Sequence, residues 1–293
     1  MPQPLSRIVH QLKSEPSRTG SLIITVFGDA IVPRGGTVWL GTLLEFFAGL
    51  SIDGNVVRTA MSRLTAEGWF ERTKSGRNSF YRLSRRGEQT FAAATRHIYD
   101  SPPATWSGSF ELLLLGSADD REQARAALRD LGFGSPLPGV FVAPARTALP
   151  EAAEGALRLQ ASADPDTARR LVAESWALDR TADAYLKFSA AFTPLKMALT
   201  KGEALPDGQA FTARILLIHH YRRIVLRDPL LPAELLPRNW PGRPARSLCG
   251  EIYRLLLPGS ERWLDTHATN DRGPLPTAGA ELMRRFADGT STA

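Results

Sequence analysis

Apolar residues recur at helical spacing in three short segments near the start of the chain: 21–29, 38–48 and a third that ends at Glu67. Ser51 or Asp53 is placed to cap the third helix, and Gly68 to end it. Two segments of strand character follow, 69–74 and 79–83, joined by a Ser-Gly-Arg-Asn turn. Another helix begins after Ser84. This order of helices and hairpin predicts a winged helix-turn-helix.

The third helix has two different faces on a helical wheel. Its apolar face consists of Ile52, Val56, Val57, Ala60, Met61 and Leu64. Short polar and basic side chains lie opposite or at the edge, and we expect them to enter the major groove of DNA: Asn55, Arg58, Thr59, Ser62 and Arg63. We expect four residues of the hairpin to serve as the wing and to meet phosphates: Lys74, Arg77, Asn78 and Tyr81.

Positive charge is concentrated in this region. Residues 54–86 contain eight Arg or Lys and two Glu, a net charge of +6, which equals the formal net charge of the whole chain. Such a segment favours a polyanionic partner, because cations beside phosphates bind through counterion release. Two other interpretations stay open: a solvated basic surface, and a winged helix that contacts protein instead of DNA.

The remaining sequence predicts two further domains. Residues 109–175 alternate between strand and helix, which favours a small ferredoxin-like βαββαβ domain. The chain after residue 176 is helical in pattern. We therefore expect an α+β protein with domains at 1–100, 101–175 and 176–293, the last of them all-helical.

Three groups of residues are candidates for chemistry outside the basic region. Asp119 and Asp120 follow the first strand of the middle domain and could bind a metal for phosphodiester hydrolysis, although Asp at a helix start also complements the helix dipole. An aromatic stripe and a basic helix end offer an effector pocket or ordinary core packing: Trp176, Tyr185, Phe188, Phe192, His219, Arg222 and Arg223.

Composition and motifs limit the possible functions. With 43% apolar residues in 293, the chain can bury substantial cores. One cysteine and the lack of an apolar leader segment predict a cytoplasmic protein without an internal disulfide. No serine-hydrolase, phosphate-loop, zinc-protease or CxxC signature occurs, so we expect neither an enzyme nor a bound cofactor or metal.

Several separated blocks resemble one family. SLIITVFGDAIVPRGGTVWLGTLLEFF, VVRTAMSRLTAEGWFERTKSGRNSFYRL, LGFGSPLPGVFVAP and IHHYRRIVLRDPLLPAELLPRNWPGRPA are similar to the PaaX family, bacterial repressors of phenylacetate catabolism. The resemblance implies a homodimer that binds double-stranded operator DNA and is released by phenylacetyl-CoA. A paralogue answering to another acyl-CoA in a different pathway, and a metal-dependent nuclease using the middle domain, are the alternatives.

Overall fold

The chain folds into two compact units that each combine separate stretches of sequence. The computed structural model describes residues 3–14, 19–100, 105–115, 121–144, 153, 155–202 and 204–287. Unit 1 consists of Met1–Asp100, Lys187–Arg223 and Pro244–Ala293, and unit 2 of Ser101–Leu186 and Ile224–Arg243. The α+β class is confirmed. The division into 1–100, 101–175 and 176–293 stays a prediction.

Unit 1 begins with a small three-stranded sheet surrounded by helices. Its elements, in chain order, are α1 (Gln3–Ser14), α2 (Thr19–Val26), a π-helical turn (Phe27–Ile31), a 3₁₀ turn (Val32–Arg34), β1 (Thr37–Trp39), α3 (Leu40–Gly49), α4 (Gly54–Ala66), β2 (Phe70–Ser75), β3 (Asn78–Leu83) and α5 (Arg85–Tyr99). The sheet order is β1-β3-β2, with antiparallel neighbours. We call residues 19–100 the head.

Local sequence determines where α4 and the hairpin begin and end. Asp53 caps α4 by accepting a hydrogen bond from the Asn55 backbone N–H at 2.7 Å, so Asp53 and not Ser51 is the cap. Gly68 follows the helix with a φ of +79°, in the left-handed region that glycine adopts without strain. Gly76 has a φ of +57° and forms the turn between β2 and β3.

Two expectations for the head are wrong in detail. The segment 38–48 begins as strand β1 and becomes helical at Leu40. Val38 pairs in register with Tyr81 of β3 and is fully buried, so sheet pairing overrides the apolar run at this point. Val56, which we expected on the apolar face of α4, is 48% exposed.

Unit 2 is built on a four-stranded antiparallel sheet. Its described elements are β4 (Ser109–Leu114), α6 (Arg121–Asp130), β5 (Gly134–Leu137), β6 (Val140–Pro144), β7 (Leu157–Ser162) and α7 (Pro165–Ser175), with strand order β5-β6-β4-β7. The last described helix follows the fourth strand, whereas βαββαβ places a helix before it. That position falls on 145–152 and 154, outside the described residues, and the ferredoxin-like assignment stays a prediction.

Each face of this sheet carries an apolar cluster. Phe110 and Val142 pack with Val172 of α7 in one apolar cluster. Leu113 packs in a second cluster with Leu128 of α6. Because adjacent strand residues point to opposite faces, the two clusters lie on opposite sides of the sheet.

The C-terminal part is mostly helical. It contains α8 (Leu178–Thr200), α9 (Asp207–Val225), a 3₁₀ turn (Ala233–Leu235), α10 (Gly242–His267), β8 (Thr269–Asn270), β9 (Gly273–Pro274) and α11 (Ala280–Arg284). The two-residue strands β8 and β9 pair with each other, so the expectation of an all-helical C-terminal region is wrong at this hairpin. Within the stretches the structure describes, no helix is both long and apolar enough to span a bilayer.

Candidate nucleic-acid interface

Helix α4 presents one polar face to solvent. Its back, formed by Val57, Ala60, Met61 and Leu64, is buried. The five residues predicted for the major groove are all exposed: Asn55, Arg58, Thr59, Ser62 and Arg63. A helix held by its apolar back with short polar and Arg side chains outward has the form needed to read base edges.

The two arginines of α4 differ in what they contact. The Arg63 guanidinium lies 3.4 Å from the Glu67 carboxylate, one turn further along the helix, and both side chains are about half exposed. Arg58 forms no ion pair or hydrogen bond with any of the described residues, and its guanidinium lies near Gly54 at the first turn. Arg58 can therefore leave its present position without breaking a bond to the protein.

Cross-strand contacts in the hairpin occupy its base and leave its tip unpaired. Glu71 and Arg82 are opposite each other and form an ion pair at 2.6 Å. Arg72 donates to the Ser79 hydroxyl at 2.7 Å. Lys74 and Arg77, nearer the turn, are exposed and have no such partner among the residues described. Asn78 is exposed beside them.

Tyr81 does not lie with these residues. It is only 4% exposed, pairs with Val38 and Arg72 in the sheet, and has the Arg72 guanidinium 6.0 Å from its ring centroid. The expectation that Tyr81 meets phosphates is corrected: it supports the hairpin from inside. β3 is the central strand of the sheet, and Ser79, Phe80 and Tyr81 are buried in succession, so both faces of the strand are covered at this point.

The charged side chains of 54–86 divide into those that form ion pairs and those that do not. The two glutamates of this segment pair with Arg63 and Arg82. The cations that have no carboxylate partner among the described residues are Arg58, Arg72, Lys74, Arg77, Arg85 and Arg86. All six belong to α4, the hairpin or the first turn of α5, and unpaired cations gathered on one segment form an electrostatic footprint for a phosphate backbone.

The residues expected to bind an effector are divided between the two units. Trp176 and Tyr185 belong to unit 2, where the Trp176 indole donates to the Gly132 carbonyl at 3.1 Å and the Tyr185 hydroxyl to the Asp228 carboxylate at 2.7 Å. Phe188 and Phe192 belong to unit 1, with ring centroids 4.8 Å apart. All but Trp176 are buried, which is the pattern of core packing.

The basic end of α9 contacts the head directly. Arg222 donates to the Thr25 hydroxyl, the Ser21 hydroxyl and the Ser21 carbonyl, each at 2.8 Å. Burial lowers the pKa of Arg222 to about 10. His219 is fully buried, with Nδ1 3.1 Å from the Thr25 hydroxyl. Burial, reinforced by the Arg222 charge, lowers its pKa to about 2, so His219 is neutral. Arg223 is exposed.

Sequence reasoning missed a buried ionic centre in unit 1. Asp29, in the π-helical turn, is fully buried. One carboxylate oxygen accepts from Arg214 Nε at 2.6 Å. The other accepts from the Tyr99 hydroxyl at 2.6 Å, from Arg285 Nη1 at 3.0 Å and from the Tyr253 hydroxyl at 3.1 Å. The available signal was an acidic residue inside the apolar segment LIITVFGDAI.

The structure offers no support for metal or thiol chemistry in the part it describes. Asp119 and Asp120, the candidates for a nuclease metal, lie outside the described residues. Elsewhere in the described ranges, no group of three or more His, Cys, Asp or Glu side chains is placed to hold a metal ion. Cys249 is buried, and burial raises the pKa of its thiol well above the usual value.

Comparison with known proteins agrees with the resemblance of the four sequence segments quoted above. Residues 18–87 match the family model described as PaaX-like protein, and residues 176–266 match the PaaX-like protein C-terminal domain. The transcriptional repressor PaaX of Escherichia coli (strain K12) is 35% identical over 295 residues, covering 95% of this chain and 93% of that protein.

A solved structure shares the fold. The uncharacterized protein Rv0674 from Mycobacterium tuberculosis aligns with a TM-score of 0.51 over 74% of this chain and 88% of that one, at 23% identity. This likeness concerns the fold alone. The family matches, together with 35% identity over 95% of the chain, show that the protein belongs to the PaaX family.

Proposed function

We propose that this protein is a DNA-binding transcriptional repressor that reads double-stranded operator DNA with a winged helix-turn-helix. The observation that carries the proposal is the exposed polar face of α4 beside a hairpin whose tip cations have no partner among the residues that the structure describes. The E. coli relative of 35% identity bears the name of a transcriptional repressor. The genes it regulates, by the resemblance described above, are those of phenylacetate degradation.

Each exposed residue has a role set by its chemistry. Arg58 reads a base edge, because a guanidinium can donate two parallel hydrogen bonds to guanine. Asn55, Thr59 and Ser62 supply further polar contacts on the same face. Lys74, Arg77 and Asn78 at the hairpin tip bind phosphates, which adds affinity without sequence preference. The ion pair of Arg63 with Glu67 is exposed, so DNA can displace it at little cost.

We further propose a homodimer whose two heads bind half-sites of one operator, and whose effector is phenylacetyl-CoA. Two heads must match half-sites one helical turn apart or a multiple of it, so a small change in their relative orientation lowers affinity. Effector binding would shift the population toward a form with the wrong orientation. Three of the effector candidates in unit 1 have the matching chemistry. The rings of Phe188 and Phe192 suit the phenyl group of the effector, and the guanidinium of Arg222 suits a phosphate of its coenzyme A part.

Two variants test the DNA-binding surface. Fluorescence anisotropy would compare a labelled duplex from upstream of the neighbouring genes with a scrambled duplex of equal length. Arg58→Ala should reduce selectivity for the first duplex by about 10-fold or more, the worth of one good base contact. Arg77→Ala should weaken both duplexes by similar factors. Arg180→Ala, which removes an exposed charge from α8 in unit 2, is the matched control and should change neither.

The effector is tested separately. Phenylacetyl-CoA added to the protein–duplex complex should release the labelled duplex, whereas coenzyme A and phenylacetate should not. By linkage, calorimetry should show weaker phenylacetyl-CoA binding to the DNA complex than to free protein. Equal affinity in both states would refute the population shift. Selective DNA binding that the thioester leaves unchanged would keep the repressor and discard this effector.

A further inference from the structure

The ionic centre at Asp29 extends into a chain of alternating charges. Arg214 is fully buried and donates both to Asp29 and, through Nη1, to Glu261 at 2.5 Å. Glu261 accepts in turn from Arg34 at 2.8 Å, and Arg34 also reaches Asp265 at 2.7 Å. With Arg285, this makes three guanidiniums and three carboxylates. The charges balance, but Asp265 is half exposed and Arg34 Nη1 is buried without a hydrogen-bond partner among the described residues. The Asp29 end of the network is fully buried with its hydrogen bonds made, and such a group favours one arrangement of its partners.

Arg214 and the two phenols of this network have a raised pKa and keep their protons over ordinary pH. Burial lowers the pKa of Arg214, but the charges of Asp29 and Glu261 more than compensate and raise it above the usual value. Burial raises the pKa of Tyr253 to about 12 and that of Tyr99 well above its usual value. Both phenols therefore stay protonated and donate to Asp29.

The π-helical turn provides additional acceptors for the same arginines. The Asp29 carbonyl accepts from Arg214 Nη2 at 2.8 Å and from Arg285 Nη1 at 2.7 Å, and the Gly28 carbonyl from Arg285 Nη2 at 3.1 Å. A π-helical turn directs some carbonyls away from the regular helical ladder and is often found at functional positions. Here the guanidiniums from α9 and from the end of α11 take up those carbonyls.

The turn also contacts the elements that we assign to DNA. The Phe27 ring lies 4.3 Å from the ring of Phe70, the first residue of β2. Preceding the turn, α2 packs against α4, where a Cβ at Gly20 would lie 3.7 Å from Leu64 and 2.9 Å from the Arg63 guanidinium. The segment 19–31 thus connects the reading helix and the wing on one side with α9, α10 and Arg285 on the other, all within unit 1.

We propose that Asp29, Arg214 and Arg285 are positioning residues for operator recognition: they hold the head at one orientation on the C-terminal helices. An apolar contact is non-directional and allows the surfaces to slide. The buried Asp29 carboxylate accepts from four donors, and one of these, Arg285, also donates to two backbone carbonyls. Such a set of hydrogen bonds admits one geometry. The head then keeps the orientation that a second head must match on a two-half-site operator. This inference rests on the proposed dimeric repressor.

The test separates positioning from simple damage to the head. Footprinting with wild-type protein on the selected duplex would first locate the two half-sites. Arg285→Gln and the charge-conserving Arg285→Lys would then be compared with wild type on a duplex that carries both half-sites and on a duplex that carries one. Loss of the fixed orientation should lower affinity for the duplex with two half-sites by about 10-fold or more. Binding of the first head would then no longer place the second head in position to bind its own half-site. Affinity for the single half-site should change by less than about 3-fold, since α4 itself is untouched.

Arg262→Gln is the matched control, because Arg262 loses the same charge from an exposed pair with Asp207 in the same unit. It should leave both affinities unchanged. Hydrogen exchange of the free protein gives a second measurement, in which Arg285→Gln should speed exchange of the amides in 27–31 without speeding it in the helices of unit 2.

Each result decides the matter. Equal losses on both duplexes would mean that the variant damages the head, and no loss on either would mean that the network has no part in recognition; both overturn the positioning role while the repressor stands. Wild-type protein that selects no duplex would overturn the proposed function instead. If Arg285→Gln fails to fold, Arg285→Lys carries the comparison, because lysine keeps the charge and loses only the forked hydrogen bonds.

Discussion

Replacing Asp29 by asparagine should cost more stability than any surface substitution in this chain. The change keeps the size of the side chain but removes a carboxylate that faces both Arg214 and Arg285. The hydrogens of its new amide group would point at Arg285 Nη1 or at Arg214 Nε, neither of which can accept a hydrogen bond. Breaking a buried ion pair by removing one partner typically costs about 3–5 kcal/mol, because it leaves an uncompensated buried charge.

That cost converts into a measurable shift. For a unit of this size, 1 kcal/mol corresponds to roughly 2–4 °C, so Asp29→Asn should lower the midpoint of unit 1 by about 10 °C. Differential scanning calorimetry is the suitable assay, because it resolves two transitions if the units unfold separately. The midpoint of unit 2 should stay near its wild-type value.

The control is Asp207→Asn, which removes a carboxylate whose partner Arg262 is 63% exposed. Solvent screens such a pair, and its loss should leave the midpoint unchanged. If Asp29→Asn also melted within about 2 °C of wild type, the buried ion pairs would be no more favourable than the hydration of the same groups in the unfolded chain. That result would refute the positioning role inferred for Asp29.

Three further predictions follow from other buried groups. The pKa of His219 is about 2 in the folded protein and near its usual value of about 6.5 in the unfolded chain, so the unfolded state binds more protons at acidic pH. As the pH is lowered from about 6.5, the free energy of unfolding should therefore decrease by up to about 1.4 kcal/mol per pH unit. Urea titrations at pH 7 and 5 should show that His219→Gln reduces this slope, and an unchanged slope would refute the assignment. Gly134→Ala places a Cβ 2.6 Å from the Trp176 ring and should destabilise unit 2 by about 1–3 kcal/mol in calorimetry, whereas Gly155→Ala in the same unit, with open space around it, should not. Cys249 should react with a thiol reagent only in denaturant; fast reaction in buffer would contradict its burial.

The parts of the fold that sequence predicted well are those set by neighbours along the chain. The bounds of α4 follow from a capping aspartate and a terminating glycine, and the hairpin from its turn residues. Strand β1 was missed because three residues show no period, and its pairing with β3 joins positions more than forty residues apart. Tyr81 was misplaced because β3 is buried on both faces near Phe80 and Tyr81, and the local sequence does not show that other elements cover this strand.

The centre at Asp29 shows a different limit. Its partners Arg214 and Arg285 lie 185 and 256 residues away along the chain, so no local spacing brings them together. The effector candidates meet a related limit: helical spacing groups Trp176 and Tyr185 with Phe188 and Phe192, but the chain passes from unit 2 into unit 1 between the two pairs. Their role in effector binding stays a prediction. Periodicity reports a face of one helix, and tertiary contacts decide what covers it.

Arginine has two opposite roles in this protein, and burial alone tells them apart. Arg34 and Arg214 are buried against carboxylates, so they cannot contribute to binding a polyanion. The six cations of 54–86 that lack a carboxylate partner among the described residues are available, and so is Arg63, whose exposed ion pair DNA can displace. At about 0.9 counterions per phosphate, these seven limit the contribution of this segment to the slope of log affinity against log salt to about −6 for each head. A measured slope well beyond that limit would require cations from outside 54–86 to reach DNA, and Arg77→Ala should reduce the slope by about 1.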